Sequence, residues 1–317
     1  MIRLSIVIVT WNAKKYVAEC LDSLQTCSND PETEIIVVDN SSTDGTPELV
    51  RDLYPRITLI RNEENLGFAK ANNVGIRKST GEYVFLINSD VHVLDGCVEQ
   101  MMDYLKQDPR IGLLGPKMLG ADRNSYRSYM GEPTLWRCFC RALALDVLFP
   151  NSRNFGGYLM PYFKRDHIAE VDVLNGWFWA TRREALNQVG LLDETFFMYG
   201  EDIDWSKRFR EAGWKVVYFP KAESIHYGGA SSSKAPIRFY IEMQKANYQY
   251  WKKHYGRASQ LTYLLMNWIE QSARLIGHTF MRFVGKKPSD ASFKAKRSMA
   301  CICWIMGIRY RTGSDAR

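Results

Sequence analysis

Four short apolar runs, three of them followed by small polar or acidic residues, constrain this chain more than any other feature. Leu4–Val9, Glu34–Asp39, Ile57–Ile60 and Tyr83–Ile87 are rich in β-branched side chains and read as strands. Between them lie stretches with helical spacing. Tyr16, Val17, Cys20, Leu21 and Leu24 form one, and another opens at Thr46-Pro47, where proline suits a first helical turn. Residues 68–78 and about 95–107 form two more. Near-continuous apolar strands alternating with helices predict an α/β fold, a mostly parallel sheet covered on both faces.

In such sheets ligands bind beyond the carboxyl ends of the strands. Thr10-Trp11-Asn12 follows the first strand, Asp39-Asn40-Ser41-Ser42 ends the second, and Asn88-Ser89-Asp90 follows the fourth. Such residues also start turns and cap helices, but three polar rims on one sheet edge point to a ligand site. Residues 121–170 show no sustained period and predict an irregular insertion or lid on the acceptor side. Residues 171–179 read as a strand, 182–188 as a helix and 201–212 as another. Residues 214–219 read as a strand stopped by Pro220, and 237–254 as a helix.

Charge divides the chain unequally. The 317 residues carry a formal net charge of +7. From Lys252 to Arg317, 13 Lys and Arg face three acids, whereas residues 1–251 hold 29 basic and 32 acidic side chains. The basic tail carries apolar residues from Leu261 to Val284, then Lys286, Lys287, Lys294, Lys296 and Arg297, and a second apolar patch from Met299 to Ile308. Trp-bearing apolar stretches bounded by Lys and Arg suit helices lying on an anionic membrane, or packed on the domain or a second copy. No stretch of 18 residues is free of charge, so no membrane-crossing helix is expected. Seven cysteines without a C-x-x-C pair and five scattered histidines give no zinc pattern and suit a reducing cytosol. Dinucleotide-fold, P-loop, zincin and α/β-hydrolase signatures are missing.

Ser5-Ile-Val-Ile-Val-Thr-Trp-Asn12, Val37-Val-Asp-Asn-Ser-Ser-Thr-Asp-Gly45 and Asn88-Ser-Asp90 resemble the nucleotide-sugar half of family 2 glycosyltransferases. Asn175-Gly-Trp-Phe-Trp179 and Glu194-Thr-Phe-Phe-Met-Tyr-Gly-Glu-Asp-Ile-Asp204 resemble the acceptor half, and are especially similar to the rhamnosyltransferase-like branch. The resemblance is collinear over about residues 3–255. It implies a GT-A fold in residues 1–256, with a donor half to about 120 and an acceptor half from about 121. Residues 257–317 then form a helical tail that associates with membrane or oligomerises.

The resemblance also implies roles. Asp39 would accept hydrogen bonds from a uracil or thymine base and its ribose neighbourhood, with Thr10, Trp11, Asn12, Asn40, Ser42 and Asp44 nearby. Asn65, Gly67, Phe68 and Asn72 correspond to a segment that approaches the nucleotide closely. Asn88-Ser89-Asp90 stands where the family carries D-x-D, so Asp90, helped by His226, would hold a divalent cation, Mg2+ or Mn2+. Asn88 in place of the first Asp removes one anionic ligand. Gly176 and Trp177 would lie under donor sugar and acceptor. Asp202 would be the base and Glu201 its partner.

The expected activity is inverting transfer of a deoxyhexose, such as rhamnose from dTDP-rhamnose, to a cell-surface glycan or lipid-linked acceptor. The expected place is the inner face of the cytoplasmic membrane, with a homodimer as an option and no nucleic-acid partner. The competing reading is a non-catalytic nucleotide-sugar-binding or scaffold subunit of a polysaccharide assembly complex.

Overall fold

The computed structural model describes residues 2–228, 235–284 and 288–310. The chain forms two compact units, residues 1–132 with 163–234, and residues 133–162 with 235–317. The boundary expected at 256/257 therefore falls inside the second unit, which also takes in the segment 133–162 and the helix beginning at Pro236.

The first unit opens as the strand–helix alternation predicts. Its elements begin β1 (Leu4–Thr10), α1 (Lys14–Ser23), α2 (Gln25–Ser28), β2 (Thr33–Asp39), α3 (Thr46–Leu53), β3 (Thr58–Arg61), α4 (Phe68–Lys78) and β4 (Tyr83–Asn88). They continue with β5 (Val91–Val93), α5 (Cys97–Gln107), β6 (Ile111–Leu119), β7 (Ser125–Tyr126) and β8 (Tyr129–Met130). In the second unit lie α6 (Leu135–Ala142) and α7 (Leu145–Leu148). The first unit resumes with β9 (Ala169–Glu170), β10 (Val173–Leu174), β11 (Phe178–Arg182), α8 (Arg183–Val189), α9 (Glu201–Glu211) and β12 (Lys215–His226). The main path of the sheet runs β3-β2-β1-β4-β11-β6-β12-β5.

Side-chain alternation explains the two covered faces. Leu4, Ile6 and Ile8 of β1 join Val17, Cys20 and Leu21 of α1 and Met101 and Leu105 of α5 in one core. Val7 points the other way, where a Cβ on Gly75 of α4 would stand 2.3 Å from it. Each fully buried Ile or Val contributes about 1.5–3 kcal/mol. The strands β3, β2, β1 and β4 are parallel to their neighbours, and β11 then runs antiparallel to β4 and β6. Because β1 is followed in sequence by β2 on one side and flanked by β4 on the other, strand order reverses there, and a crevice opens at that point.

Two expectations need correction, and one strand is an addition. The strand expected over 171–179 is split: β10 ends at Leu174, Asn175–Trp177 leave the ladder, and β11 starts at Phe178. Trp177 and Trp179 therefore do not alternate along one strand. Trp179 is fully buried, donates its indole N–H to the Leu174 carbonyl at 3.1 Å, and packs on Phe68 and Trp205. Pro220 does not stop β12, which runs on to His226, because the ladder with β6 is irregular between Phe219 and Glu223 and needs no amide there. β6 itself was not foreseen, since Gly112, Gly115 and Pro116 interrupt its apolar run.

The second unit is helical. α6 packs on α10 (Pro236–Phe283), and α10 on α11 (Pro288–Ile305). Gly256, at φ 77° and ψ −179°, breaks α10 into two arms, a left-handed turn that only glycine takes cheaply. Across that turn Trp251 stacks on Tyr263 with ring centres 5.8 Å apart. Lys286 and Lys287 of the basic tail lie outside the described residues.

Candidate active site

The sheet order determines which chain ends meet. β1 and β4 are parallel neighbours, so Val9 and Trp11 sit beside Asn88, Ser89 and Asp90. Antiparallel pairing of β11 on β4 matches Phe178 to Ile87, and the Asn88 amide donates to the Trp177 carbonyl at 3.0 Å. β12 ends against β5 with His226 opposite Val91, and the Tyr227 amide donates to the Asp90 carbonyl at 3.0 Å. These ends enclose a cavity of about 230 Å3 in the first unit. Val9, Trp11, Ala13, Asn40, Asn65, Gly67, Phe68, Asn88, Ser89 and Asp90 line one side. Gly176, Trp177, Met198, Tyr199, Glu201, Asp202 and His226 complete it.

The segment before α9 is locked to the start of α4. Gly67 has φ 81°, and a Cβ there would stand 2.3 Å from the Phe197 carbonyl oxygen, which already accepts from the Phe68 amide at 2.7 Å. Asn40 ties the same loop together: its Nδ2 donates to Asn65 Oδ1 at 2.8 Å and to the Gly67 carbonyl, and its Oδ1 accepts from the Leu66 amide at 2.9 Å. Tyr199, at φ 66°, is one of six non-glycine residues with positive φ among those described, and the strain falls beside the acid pair.

Glu201 and Asp202 open α9, whose N-terminus favours negative charge. Glu201 is buried, its Oε2 has no hydrogen-bond partner among the described residues, and burial reinforced by Asp202 pushes its carboxyl well above the usual range. Burial also pushes Asp202 up to about 6, against hydrogen bonds that favour its ionised form, including one from the Ile203 amide at 2.9 Å. Two neighbouring acids set apart in this way divide into a proton-holding and a proton-accepting group near neutral pH. Asp204, one turn on, is fully buried and accepts from Arg208 at 2.9 Å, and its charge adds to the upward push on Glu201.

Across the cavity, Asp90 Oδ1 lies 3.3 Å from His226 Nε2, and Trp177 stacks on the His226 ring with centres 4.7 Å apart. Among the described residues no group of three or more His, Cys, Asp or Glu gathers to hold a metal ion. One carboxylate and one imidazole facing the cavity supply two side-chain ligands, so an ion held there would need its other ligands from a bound molecule or water.

The cavity thus brings together Trp11, Asn40, Asn65, Gly67, Phe68, Asn88, Ser89, Asp90, Gly176, Trp177, Glu201, Asp202 and His226. Thr10, Asn12, Asp39, Ser42, Asp44 and Asn72 do not line it. Thr10 and Asp39 are register partners at the ends of β1 and β2, both buried, each with one oxygen that lacks a partner among the described residues. The other Asp39 oxygen accepts from the Ser42 amide at 3.0 Å, and Ser42 Oγ accepts from the Asn12 amide at 2.8 Å. Asp44 accepts from the amides of Lys14 and Thr46, each at 3.1 Å, and so caps both α1 and α3. Asn72 points along its own helix to the Phe68 carbonyl. The reading from sequence missed Val9, Ala13, Met198 and Tyr199 as wall residues; the last two lie in the Phe-Phe-Met-Tyr-Gly run that precedes the acid pair.

The description "Glycosyl transferase family 2" matches residues 5–190. The chain belongs to glycosyltransferase family 2. Over 256 residues it is 31% identical to the N-acetylglucosaminyl-diphospho-decaprenol L-rhamnosyltransferase of Mycobacterium tuberculosis, covering 77% of this chain and 82% of that one. It is 24% identical over 200 residues to the putative teichuronic acid biosynthesis glycosyltransferase TuaG of Bacillus subtilis, covering 62% and 74%. Among solved structures it is similar to a mannosyltransferase from Pyrobaculum calidifontis in complex with GDP-Man and Mn2+. That likeness has a TM-score of 0.57 at 19% identity, covering 96% of this chain and 83% of that chain. The architecture is the GT-A fold, and the chain is a glycosyltransferase of the hexosyltransferase kind.

Proposed function

We propose that this glycosyltransferase moves L-rhamnose, with inversion, from dTDP-rhamnose to a lipid-linked glycan at the inner face of a bacterial cytoplasmic membrane. Support for the sugar and the acceptor comes from the mycobacterial relative, whose name states both a rhamnosyl transfer and a diphospho-decaprenol acceptor. The observation that carries the reaction class is one cavity bordered by the ends of β1 and β4 and by two neighbouring acids, the buried Glu201 and Asp202 beside it. A subunit that only binds the donor has no use for two carboxyls pushed up by burial.

In this reading the unpaired oxygens of Thr10 and Asp39 await donors from base and ribose, since an unsatisfied buried polar atom costs about 1–3 kcal/mol. Asn12, Ser42 and Asp44 hold that loop in shape, and Asn40, Asn65 and Gly67 shape the wall along which the sugar diphosphate lies. Gly176 and Trp177 form the floor for donor sugar and acceptor. Asp202 takes the proton of the acceptor hydroxyl as its oxygen bonds to the anomeric carbon from the side opposite the diphosphate. The bond from that carbon to the diphosphate oxygen breaks, and the nucleoside diphosphate leaves. Glu201, protonated, donates a hydrogen bond that orients Asp202 or the acceptor. A Mg2+ or Mn2+ ion held by Asp90 and His226 would neutralise charge on the leaving diphosphate. The tail, residues 257–317, would hold the enzyme at an anionic membrane surface.

A thermal-shift panel of dTDP-, UDP- and GDP-sugars, each with and without Mn2+, tests the donor. The expected result is stabilisation by dTDP-rhamnose that increases with the ion, since ligands that bind the folded state raise its apparent stability. Stabilisation by a UDP- or GDP-sugar and not by dTDP-rhamnose would sink the proposed donor.

A further inference from the structure

The second arm of α10 reverses the usual polarity of a helix on a water-soluble protein. Its buried face carries Gln260, Tyr263, Asn267 and Gln271, spaced three and four residues apart, all 9% exposed or less. These side chains are held by hydrogen bonds within the unit. Tyr263 Oη and Asn267 Nδ2 donate to Gln244 Oε1 at 3.2 and 2.8 Å, and Gln271 Nε2 donates to Tyr240 Oη at 2.9 Å. The outward face carries Leu261, Leu265, Trp268, Ile276, Phe280 and Phe283, from 41% to 84% exposed. A helix bathed in water puts its apolar stripe inside. Polar side chains joining helices from within, with apolar ones outside, is the arrangement of helices in contact with lipid.

A second segment of the same unit repeats the pattern. In α6, α7 and their borders, Trp136, Phe139, Leu143, Val147, Leu148 and Phe149 are all exposed within 14 residues, and α6 packs against α10. Single exposed apolar residues need no explanation, but this number on one unit is well beyond an ordinary soluble surface. The charge agrees. Residues 133–162 and 235–317 hold 18 Lys and Arg against five Asp and Glu, a balance of +13, while the rest of the chain holds 24 against 30, or −6. Two such surfaces repel one another, which disfavours a second copy as the partner, and both are attracted to anionic lipid. No described helix is long and apolar enough to cross a membrane.

We propose that the second unit is an in-plane membrane module. The outer face of the second α10 arm and the α6–α7 segment enter the boundary between headgroups and acyl chains of an anionic bilayer, with Lys and Arg on the phosphates. This deepens the membrane reading of the tail given above. It adds a lipid contact at 136–149, a segment the sequence pattern assigned to the acceptor side.

The test is sedimentation of the full-length protein with phosphatidylcholine vesicles, with and without phosphatidylglycerol. Two triple variants are compared with wild type: Phe139→Ser/Leu148→Ser/Phe149→Ser and Ile276→Ser/Phe280→Ser/Phe283→Ser. Wild type should bind the anionic vesicles, and each triple variant should bind at least roughly tenfold more weakly, as expected for removing three inserted apolar side chains. Both variants should keep the wild-type circular dichroism spectrum and the thermal shift with donor, because the substituted side chains are exposed. If wild type binds and the 139/148/149 variant binds as tightly, the α6–α7 contact is wrong while the tail reading stands. If wild type binds neither vesicle, both fall. A stable dimer in sedimentation equilibrium that these substitutions dissociate, without vesicle binding, would make the occupant a second copy and overturn the proposal.

Discussion

The acids that follow β2 and those that open α9 lie at the same end of the first unit, and their surroundings use them in opposite ways. Asp44 is partly desolvated, yet hydrogen bonds from Thr46 and the Lys14 amide hold its carboxyl below the ordinary 3.8. Glu201 and Asp202 are pushed up, with fewer partners and more burial. The comparison separates scaffolding from chemistry. A carboxylate locked in its charged form organises backbone, whereas one raised toward neutral pH is able to exchange a proton during turnover.

The largest effect that would break this division is expected at Asp202. Replacing it with Asn should lower the transfer rate by about 10²–10⁴-fold, the range for a positioned base, while the thermal shift with donor persists. Near-normal turnover of Asp202→Asn would remove Asp202 from the role. The wild-type pH profile gives the next effect. On the acid side kcat/KM should fall about tenfold per pH unit below about 6, because in the proposed mechanism Asp202 must be ionised to accept the proton. A rate that stays flat down to pH 4 would place the proton acceptor elsewhere.

Stability effects are smaller. Asp44→Ala should cost about 1–2 kcal/mol in urea unfolding, since it removes the acceptor that caps two helices. The carboxyl is held low in the folded state, so its contribution is present above the ordinary 3.8 and is lost as pH falls through the folded value. The difference between Asp44→Ala and wild type should therefore shrink in acid. Glu201→Gln should act in the other direction and raise Tm, by roughly 2–4 °C for each kcal/mol regained. Its folded-state carboxyl is raised, so wild type is most stable below the ordinary 4.5 and loses stability as pH climbs. The gain from Gln should consequently be larger at pH 8 than at pH 5, read by scanning calorimetry at both.

The parallel half of the sheet was legible because β1, β2 and β4 are buried on both faces and must be apolar throughout. Their polar ends stood out for the same reason. β6 was hidden by its own packing: Cβ atoms on Gly112 and Gly115 would come within 2.6 Å of Trp214 and 3.0 Å of Leu174, so the sequence carries glycine where a strand pattern would show valine. The two roles of carboxylate were not legible either. Asp44 and Asp202 are the same residue type beside a glycine-containing turn, and what distinguishes them is the tertiary reach of Lys14 in one case and burial in the other. In the second unit the apolar residues of α10 could be listed from sequence, but not which of its faces is buried: Gly256 folds the helix back, and the buried face of the second arm is the polar one.

The hydrogen bond from the Asn88 amide to the Trp177 carbonyl has a consequence for how enzymes of this plan change their acceptor. It gives the two halves of the cavity a single mechanical reference, the register of β11 on β4. A slip of one residue would carry Trp177 about 3.3 Å along the strand, several times the roughly 1 Å misplacement that already costs about 100-fold in rate. New acceptor preference is therefore expected to arise by exchange of chain outside residues 83–88 and 178–182. Chimeras spliced within those ten or so positions should lose transfer even when both parents are active.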